Sequence, residues 1–130
     1  MPQKSIEFIL LRQFATYLSL PFMIIDQDGN LVYFNEAVEH FIGVRFAEAG
    51  EIPSIEWSTI FVPHDRNGHP ISPESSPLFT SYRRRQPAHG ILNIMSLKNK
   101  IWTVEVFTMP IMNHTNDFLG FAAYFQEIRE

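Results

Sequence analysis

The chain has 130 residues, of which 45% are hydrophobic and 18% charged, and its formal net charge is −4. This length predicts one domain with a real core, and the apolar content excludes an intrinsically disordered chain. The acidic balance excludes a strongly basic nucleic-acid binder, because such a protein needs a cationic face.

The chain contains no cysteine, which excludes disulfides, thiol catalysis, thiolate metal sites and a cysteinyl-flavin photosensor. No basic start followed by an apolar run marks a signal peptide, and no stretch of about 18 apolar residues is long enough to span a membrane. We therefore expect a cytoplasmic protein with neither nucleic acid nor a membrane among its partners.

Residues 5–18 are predicted to form a helix with two apolar stripes. The first stripe comprises Ile6, Ile9, Leu10, Phe14, Tyr17 and Leu18, and the second comprises Phe8, Leu11 and Ala15. Because a helix that is apolar on two sides must bury both, we expect one side to lie on its own domain and the other on a second copy. Residues 1–19 are then a capping or dimerisation helix; complete burial within its own fold is the alternative.

The next segment predicts a β-hairpin followed by a helix. Residues 22–26 and 31–34 are short apolar runs, and Asp28-Gly29 between them supplies the positive φ of a hairpin turn. Asn35 is a favourable N-cap, and Gly43 is a typical residue for the end of the helix.

The second half predicts a helical crossover and three strands. Residues 44–72 are interrupted by prolines and contain at most a short helical turn near residues 55–61. A helix over residues 72–86 ends in three arginines, and strands follow at about residues 89–97, 101–109 and 118–128. This order implies an α+β fold, a five-stranded antiparallel sheet with helices on one face and an extra N-terminal helix.

The order of strands, turn and capping residue in the first half of the chain resembles that of a known family. Residues 22–37 combine an apolar strand ending in Asp26, the Asp-Gly turn, a second strand and Asn35. Pieces at residues 87–90, 102–106 and 119–123 continue the pattern in the same order. The ordered set resembles the Per-Arnt-Sim (PAS) domains of bacterial sensor proteins, and it implies that residues 20–130 form a PAS-like sensor domain.

One departure from the family concerns the end of the chain. Many PAS domains end in an Asp-Ile-Thr-like signature that couples to a downstream helix, whereas Gln126-Glu127-Ile128 stands here. The resemblance implies a downstream effector outside this chain, and the chain is expected to be either a stand-alone sensor or an excised input domain.

The resemblance also implies a ligand pocket between the inner sheet face and the helices. The implied wall comprises Met23, Ile25, Leu78, Tyr82, Leu92, Ile94, Trp102, Val104, Val106, Ala122 and Tyr124. This wall is mostly apolar with few polar anchors, so the predicted ligand is a small, largely apolar molecule. The alternative is that the same side chains simply fill the core.

Two cofactors known from PAS relatives fit the sequence poorly, and the cofactor stays unknown. Haem would need a ligand such as His89 or Tyr82, since the crossover helix contains no histidine. Flavin-binding relatives read the flavin edge with Asn and Gln, whereas the matching positions here are Ile94, Val104 and Ala122. A buried flavin edge would therefore lack hydrogen-bond partners.

Metal binding and catalysis are weaker interpretations. His64, Asp65 and His69 cluster in one loop, but we expect a solvent-exposed turn and no metal. A small enzyme of the NTF2-like cone fold, an isomerase or hydrolase, would recruit Asp26, Glu105 and His89 as acid and base. We expect no enzyme, because Asp26 sits beside a turn and Glu105 falls on the outer strand phase.

The sequence thus predicts a sensory signal-transduction module that binds an apolar ligand or transmits a signal through a homodimer. Ligand binding would shift the population between two packings of sheet and helices. The alternatives are a ligand-free protein-interaction module and the small enzyme. The dimer candidates are Phe8, Leu11, Ala15, Phe107, Phe121 and Phe125.

Overall fold

The computed structural model describes residues 6–53, 62–65, 67–71, 77–95 and 101–128. Within these residues the helices are α1 (Ile6–Thr16), α2 (Glu36–Ile42), α3 (Phe46–Ala49) and α4 (Pro77–Arg84). The strands are β1 (Phe22–Asp26), β2 (Leu31–Phe34), β3 (Val62–His64), β4 (Ala88–Met95), β5 (Ile101–Met112) and β6 (Phe118–Glu127).

The strands form one antiparallel sheet in the order β2-β1-β6-β5-β4-β3. The predicted α+β fold is confirmed, and all five predicted strands are present. The strand count is corrected by β3, which pairs with β4 at the sheet edge. A three-residue strand with Pro63 in its middle is too short to show the alternation that marks a strand in a sequence.

Some predicted elements lie outside the described residues, and others have different bounds in the structure. The helical turn near residues 55–61 and the first residues of the crossover helix at 72–76 lie outside the described residues. The short helix α3 was not predicted, because four residues carry no helical period. Strand β5 continues through Pro110 to Met112, three residues beyond the predicted end.

Three five-residue turns share one hydrogen-bond pattern, in which the first side chain accepts the backbone N–H groups two and four residues later. They begin at Asp26, Asp65 and Asn113. The fourth residue of each has a positive φ: 85° at Gly29, 87° at Gly68 and 63° at Asn116. Glycine and asparagine are the residues that adopt this conformation at least cost, so the side chains of these turns specify where the chain reverses.

The sheet separates two apolar clusters. The inner cluster contains Met23, Ile25, Leu31, Phe34, Val38, Phe41, Ile52, Leu92, Ile94, Val104, Val106, Phe121, Ala123 and Phe125. The outer cluster contains Ala15, Phe22, Ile24, Val32, Tyr33, Ile111 and Ala122. Helix α2 therefore packs on the inner face, and α1 packs on the outer face. No helix of the described part is long and apolar enough to cross a membrane.

Candidate functional site

The inner face of the sheet brings most of the predicted pocket wall together. Met23, Ile25, Leu92, Ile94, Trp102, Val104 and Val106 all lie in or against the inner cluster. Leu92 pairs directly with Val104, and Ile94 pairs with Trp102, and directly opposed residues share a face of the sheet. The inward direction of these seven side chains agrees with the sequence, and their role as a ligand wall stays a prediction.

This wall is tightly covered. Ile25 and Val104 have an exposed fraction of 0%, and Trp102 packs on Phe41 with ring centroids 4.5 Å apart. Side chains that line a cavity large enough for a ligand leave atoms that a water-sized sphere can touch, and these two leave none. Leu78 and Tyr82 lie on α4, and their side chains are outside the described part. The described part of the wall therefore has the character of a packed core.

The predicted orientation of β6 is wrong by one residue. Ala123 pairs with Met23 and Phe121 pairs with Ile25, so the odd-numbered side chains face inward. Phe121 and Phe125, expected to face a dimer partner, are only 4% and 1% exposed. The expected inward residues Ala122 and Tyr124 instead lie with the outer cluster. Because both faces of β6 are apolar, alternation alone does not fix which set points inward.

The predicted orientation of α1 is also reversed. Phe8, Leu11 and Ala15, expected to meet a second copy, pack on the outer cluster of their own chain. Four residues of the other stripe point away from the sheet: Ile6 is 65% exposed, Leu10 57%, Phe14 58% and Tyr17 89%. Leu18, counted in the same stripe, instead packs against the outer cluster. The smaller residue Ala15 allows the helix to lie close to the sheet, and the bulkier stripe is left outside.

A row of stacked rings crosses the outer face beside α1. His89 pairs with Phe107, Phe107 with Tyr124, and Tyr124 with Phe22, each across neighbouring strands. The three ring pairs have centroid distances of 5.9, 4.9 and 6.5 Å and interplanar angles of 18°, 12° and 4°. Phe14 of α1 meets Phe22 edge-on at 6.4 Å. The exposed stripe of α1 and the ring row are therefore continuous.

Asn35 joins α1 to the sheet and to α2. Its Oδ1 accepts the backbone N–H groups of Phe22 (3.1 Å) and Val38 (3.2 Å), which confirms the predicted N-cap. Its Nδ2 donates to the carbonyl oxygens of Ala15 (3.0 Å) and Leu20 (2.9 Å). The side chain is buried, and a buried amide is stable only when its donors and acceptors are used. Any movement of α1 relative to the sheet must therefore rearrange these bonds.

A β-bulge in β2 shapes the space beneath α1. Ile24 pairs with Tyr33 and Ile25 with Leu31, so Val32 is an extra residue in the ladder. Val32 and Tyr33 consequently both belong to the outer cluster, which strict alternation does not predict. The Tyr33 hydroxyl lies 3.0 Å from the Thr16 hydroxyl of α1. The bulge thus widens the outer face where α1 crosses the hairpin.

An open groove of about 800 Å³ lies between α1 and this hairpin, and we call it the hairpin groove. Its lining includes Ile24, Val32 and Leu119 from the sheet, Phe8, Arg12 and Thr16 from α1, and Asp26, Asp28 and Glu51 near the turn. A second groove of about 980 Å³ shares Arg12, Thr16 and Tyr33 and extends over Glu36, Glu39 and Arg45; we call it the α2 groove. Arg12 therefore stands between two open spaces on the outer side.

Several solved structures share this architecture. No protein-family model matches the sequence, and no curated protein matches it either. Solved structures do match: the PAS domain of Bordetella pertussis BvgS has a TM-score of 0.67 at 16% identity, covering 95% of this chain and 87% of that one. The PAS domain of nitrogen regulation protein NR(II) from Vibrio parahaemolyticus has a TM-score of 0.64 at 16% identity, covering 92% and 98%.

The chain has the PAS fold. A Rhodobacter sphaeroides LOV protein has the same fold, with a TM-score of 0.71 at 10% identity over 96% of this chain and 69% of that one. The PAS resemblance in the sequence is therefore confirmed at the level of the fold, although identities this low leave ligand and partner open.

The PAS fold locates the residues considered for cofactors. His89 is exposed and stacked on Phe107 on the outer face, so it does not point into the inner pocket, where a haem ligand would have to point. For flavin, the inner position on β6 is Ala123 and not Ala122, because Ala123 is the residue opposite Met23. An alanine methyl group offers no hydrogen bond to a flavin edge at either position.

The groups considered for catalysis or metal binding do not converge. Asp26 is held in its turn by the N–H groups of Asp28 and Asn30. Glu105 on β5 and His89 on β4 both lie on the outer face, two and three strands away from β1 respectively. Within the described residues no three His, Cys, Asp or Glu side chains are grouped as metal ligands.

The side chain of Asp65 stabilises the turn in which it lies. Its carboxylate accepts the N–H groups of His69 and Asn67, both at 2.9 Å. The His69 backbone bond is the main cause that lowers the pKa of Asp65 below its usual 3.8. The carboxylate therefore stabilises a turn, as the sequence suggested for this loop.

Proposed function

We propose that the chain is a sensory signal-transduction module that passes its signal through a homodimer formed on α1. The PAS fold supports the sensory part, since solved structures with this fold include a nitrogen regulation protein and a Light-Oxygen-Voltage receptor. The main support for the dimer is the outward stripe of α1. Its four residues are each more than half exposed: Ile6, Leu10, Phe14 and Tyr17.

The size of this surface supports a second copy as its occupant. Large apolar side chains each contribute on the order of 150–250 Å², so the four half-exposed residues present roughly 500 Å² per copy. Two copies would bury roughly 1,000 Å², which is the lower limit of a biological interface. Phe107 and Tyr124 in the ring row are half-buried and continue the patch, so Phe107 keeps its place among the dimer candidates.

Asn35 supplies the link between the sheet and this interface. Its two donated bonds end on α1 and on the connection to β1, while its two accepted bonds come from β1 and α2. A change on the sheet that shifts β1 would alter the position of α1, and a dimer selects one of the two packings.

The dimer is tested by sedimentation equilibrium of the wild type, Phe14→Glu and Asn67→Asp. Both variants add one negative charge to an exposed position, but Asn67 lies in the turn beside β3, at the sheet edge opposite β2, whereas Phe14 lies in the outward stripe of α1. Burying an unpaired carboxylate is costly, so Phe14→Glu should weaken dimerisation more than about 100-fold, with Asn67→Asp close to wild type. A wild type that stays monomeric, or equal effects of the two variants, contradicts the proposal.

A small apolar ligand in the inner pocket is the second candidate for the sensory input. The contiguous wall of Met23, Ile25, Leu92, Ile94, Trp102, Val104 and Val106 favours it, although a ligand would have to displace packed side chains. Native mass spectrometry and a visible spectrum of freshly purified protein test it. Extra bound mass supports an inner ligand, a haem or flavin band identifies a cofactor, and the bare mass supports the ligand-free interaction module.

We also infer that the module is not an enzyme. The support is the position of Asp26 on β1, which separates it from Glu105 and His89 on β5 and β4, so the three groups of the cone-fold alternative do not form one site. Turnover of an isomerase or hydrolase substrate that is lost in Asp26→Asn would overturn this inference.

A further inference from the structure

We propose that the hairpin groove binds a small amphipathic monocarboxylate, with the carboxylate on Arg12 and the apolar body on Phe8, Ile9 and Leu119. This site lies along the flank of α1, whereas the proposed dimer uses the stripe of Ile6, Leu10, Phe14 and Tyr17. The inference therefore stands independently of dimerisation.

Arg12 is the group that selects an anion. Its guanidinium carbon lies 5.0 Å from the ring centre of Tyr33 and 5.2 Å from that of Phe46. Aromatic faces attract the charge but accept none of its N–H donors in the plane of the guanidinium. Across the described residues no carboxylate lies within 4.0 Å of this guanidinium. The two rings thus position a cation whose fork of donors fits a carboxylate.

The hydroxyl groups beside Arg12 already have partners. The Thr16 hydroxyl donates to the backbone carbonyl of Arg12 at 2.8 Å, which leaves the Tyr33 hydroxyl as donor in its bond to Thr16. Polar recognition in this part of the groove therefore rests on charge, and a neutral alcohol of the same length would lose the principal interaction.

The groove floor selects an apolar body of limited size. Ile24 and Val32 are only 1% and 9% exposed, so they close the floor of the groove from below. The apolar surface that a ligand can touch comes from Ile9, which is 45% exposed, and from the half-buried Phe8 and Leu119. The volume of about 800 Å³ falls in the range typical of small-molecule sites. The floor exists because the bulge turns both Val32 and Tyr33 to this side, so a ligand can lie along apolar surface while its charged end reaches Arg12.

The opposite end of the groove fixes the orientation. Asp26 and Asp28 lie at the hairpin turn, beyond Ile24 along β1, and Glu51 also lines the groove. Three carboxylates repel a second anionic group, so a dicarboxylate of the same length is disfavoured. The electrostatic difference between the two ends points the carboxylate of a monoanion toward Arg12 and its tail toward the turn.

The probes are octanoate, 1-octanol and octylammonium, titrated at one ionic strength and followed by amide and methyl nuclear magnetic resonance shifts. We expect octanoate to bind and to shift Thr16, Ile24 and Leu119, with 1-octanol weaker. Arg12→Gln should weaken octanoate binding about tenfold, the loss of one charge-assisted interaction. Arg45→Gln is the matched control, because Arg45 lines only the α2 groove, and it should change binding less than about twofold.

Each other outcome contradicts the proposal. Equal binding of octanoate and 1-octanol would show that the Arg12 charge does not contribute to binding. Tighter binding of octylammonium would show that the carboxylates near the turn, and not Arg12, select the ligand. Shifts centred on Val104 and Val106 place the ligand in the inner cluster, and weakening by Arg45→Gln places it in the α2 groove. If Arg12→Gln fails to fold, Arg12→Lys replaces it: the folded variant should bind octanoate more weakly than the wild type, because an ammonium group lacks the planar fork of donors, and unchanged binding contradicts the proposal.

Discussion

The two faces of the sheet differ in how completely they are closed. On the inner face, α2 and the sheet enclose side chains such as Ile25 and Val104 with no exposed surface. On the outer face, α1 covers only part of the sheet and leaves its own apolar stripe and a row of rings partly exposed. Exposed apolar surface of this kind is typical of interaction sites, and in the described residues it lies on the outer face and not on the inner face.

The largest expected effect comes from the inner face. Ile25→Ala removes a fully buried side chain and leaves a cavity, which should lower the free energy of unfolding by about 4 kcal/mol. The matched variant on the outer face is Ile91→Ala. Since Ile91 is 43% exposed, this substitution should change the free energy of unfolding by no more than about 0.5 kcal/mol. Urea unfolding measures both. Similar losses in the two variants would remove the distinction between the faces.

Substitution of Asn35, which joins α1 to the sheet and to α2, should have an intermediate effect on the free energy of unfolding. Asn35→Ala removes the N-cap and leaves buried partners without hydrogen bonds, at an expected cost of about 3 kcal/mol. Asn35→Ser retains a capping oxygen, but its single, shorter hydroxyl does not replace both bonds that the amide donates to Ala15 and Leu20, so it should lose about half as much. Urea unfolding gives the costs, and hydrogen exchange of α1 tests the separation. Equal exchange in Asn35→Ser and wild type would mean that Asn35 does not hold α1.

The smallest expected effect is the pH dependence of the exposed turns. The pKa of Asp65 is lowered in the folded state, so its contribution to stability is present above 3.8 and is lost as the pH falls through the folded value. Asp65→Asn should therefore flatten the decline in stability between about pH 5 and pH 2. Asn113 begins a turn of the same pattern without a carboxylate, so the turn itself should tolerate asparagine. An unchanged pH profile would contradict this assignment.

The sequence predicts the hairpin and its cap well because their signals are local. Asp26, Gly29 and Asn35 each determine backbone conformation within a few residues, through a side-chain bond or a positive φ. The fold followed from the order of such signals. The fold was also favoured by the alternation of apolar side chains along β5. Val104 and Val106 of this strand face inward as predicted.

The orientation of β6 and α1 could not be predicted in the same way, because it depends on packing between distant elements. Gly120 illustrates this: a side chain there would clash with the Ile25 carbonyl oxygen, so the close approach of β6 to β1 sets the register. Likewise the bulge at Val32 turns two neighbouring side chains outward. Both depend on contacts across the sheet, which a period of two within one strand does not contain.

Hydrogen exchange of α1 as a function of protein concentration tests most directly whether the outer face is the interaction face. The account predicts that protection of residues 6–16 rises with concentration, while peptides of β4 and β5 that carry Leu92 and Val104 show no comparable change. Protection of α1 that is independent of concentration, or that changes equally throughout the sheet, would contradict it.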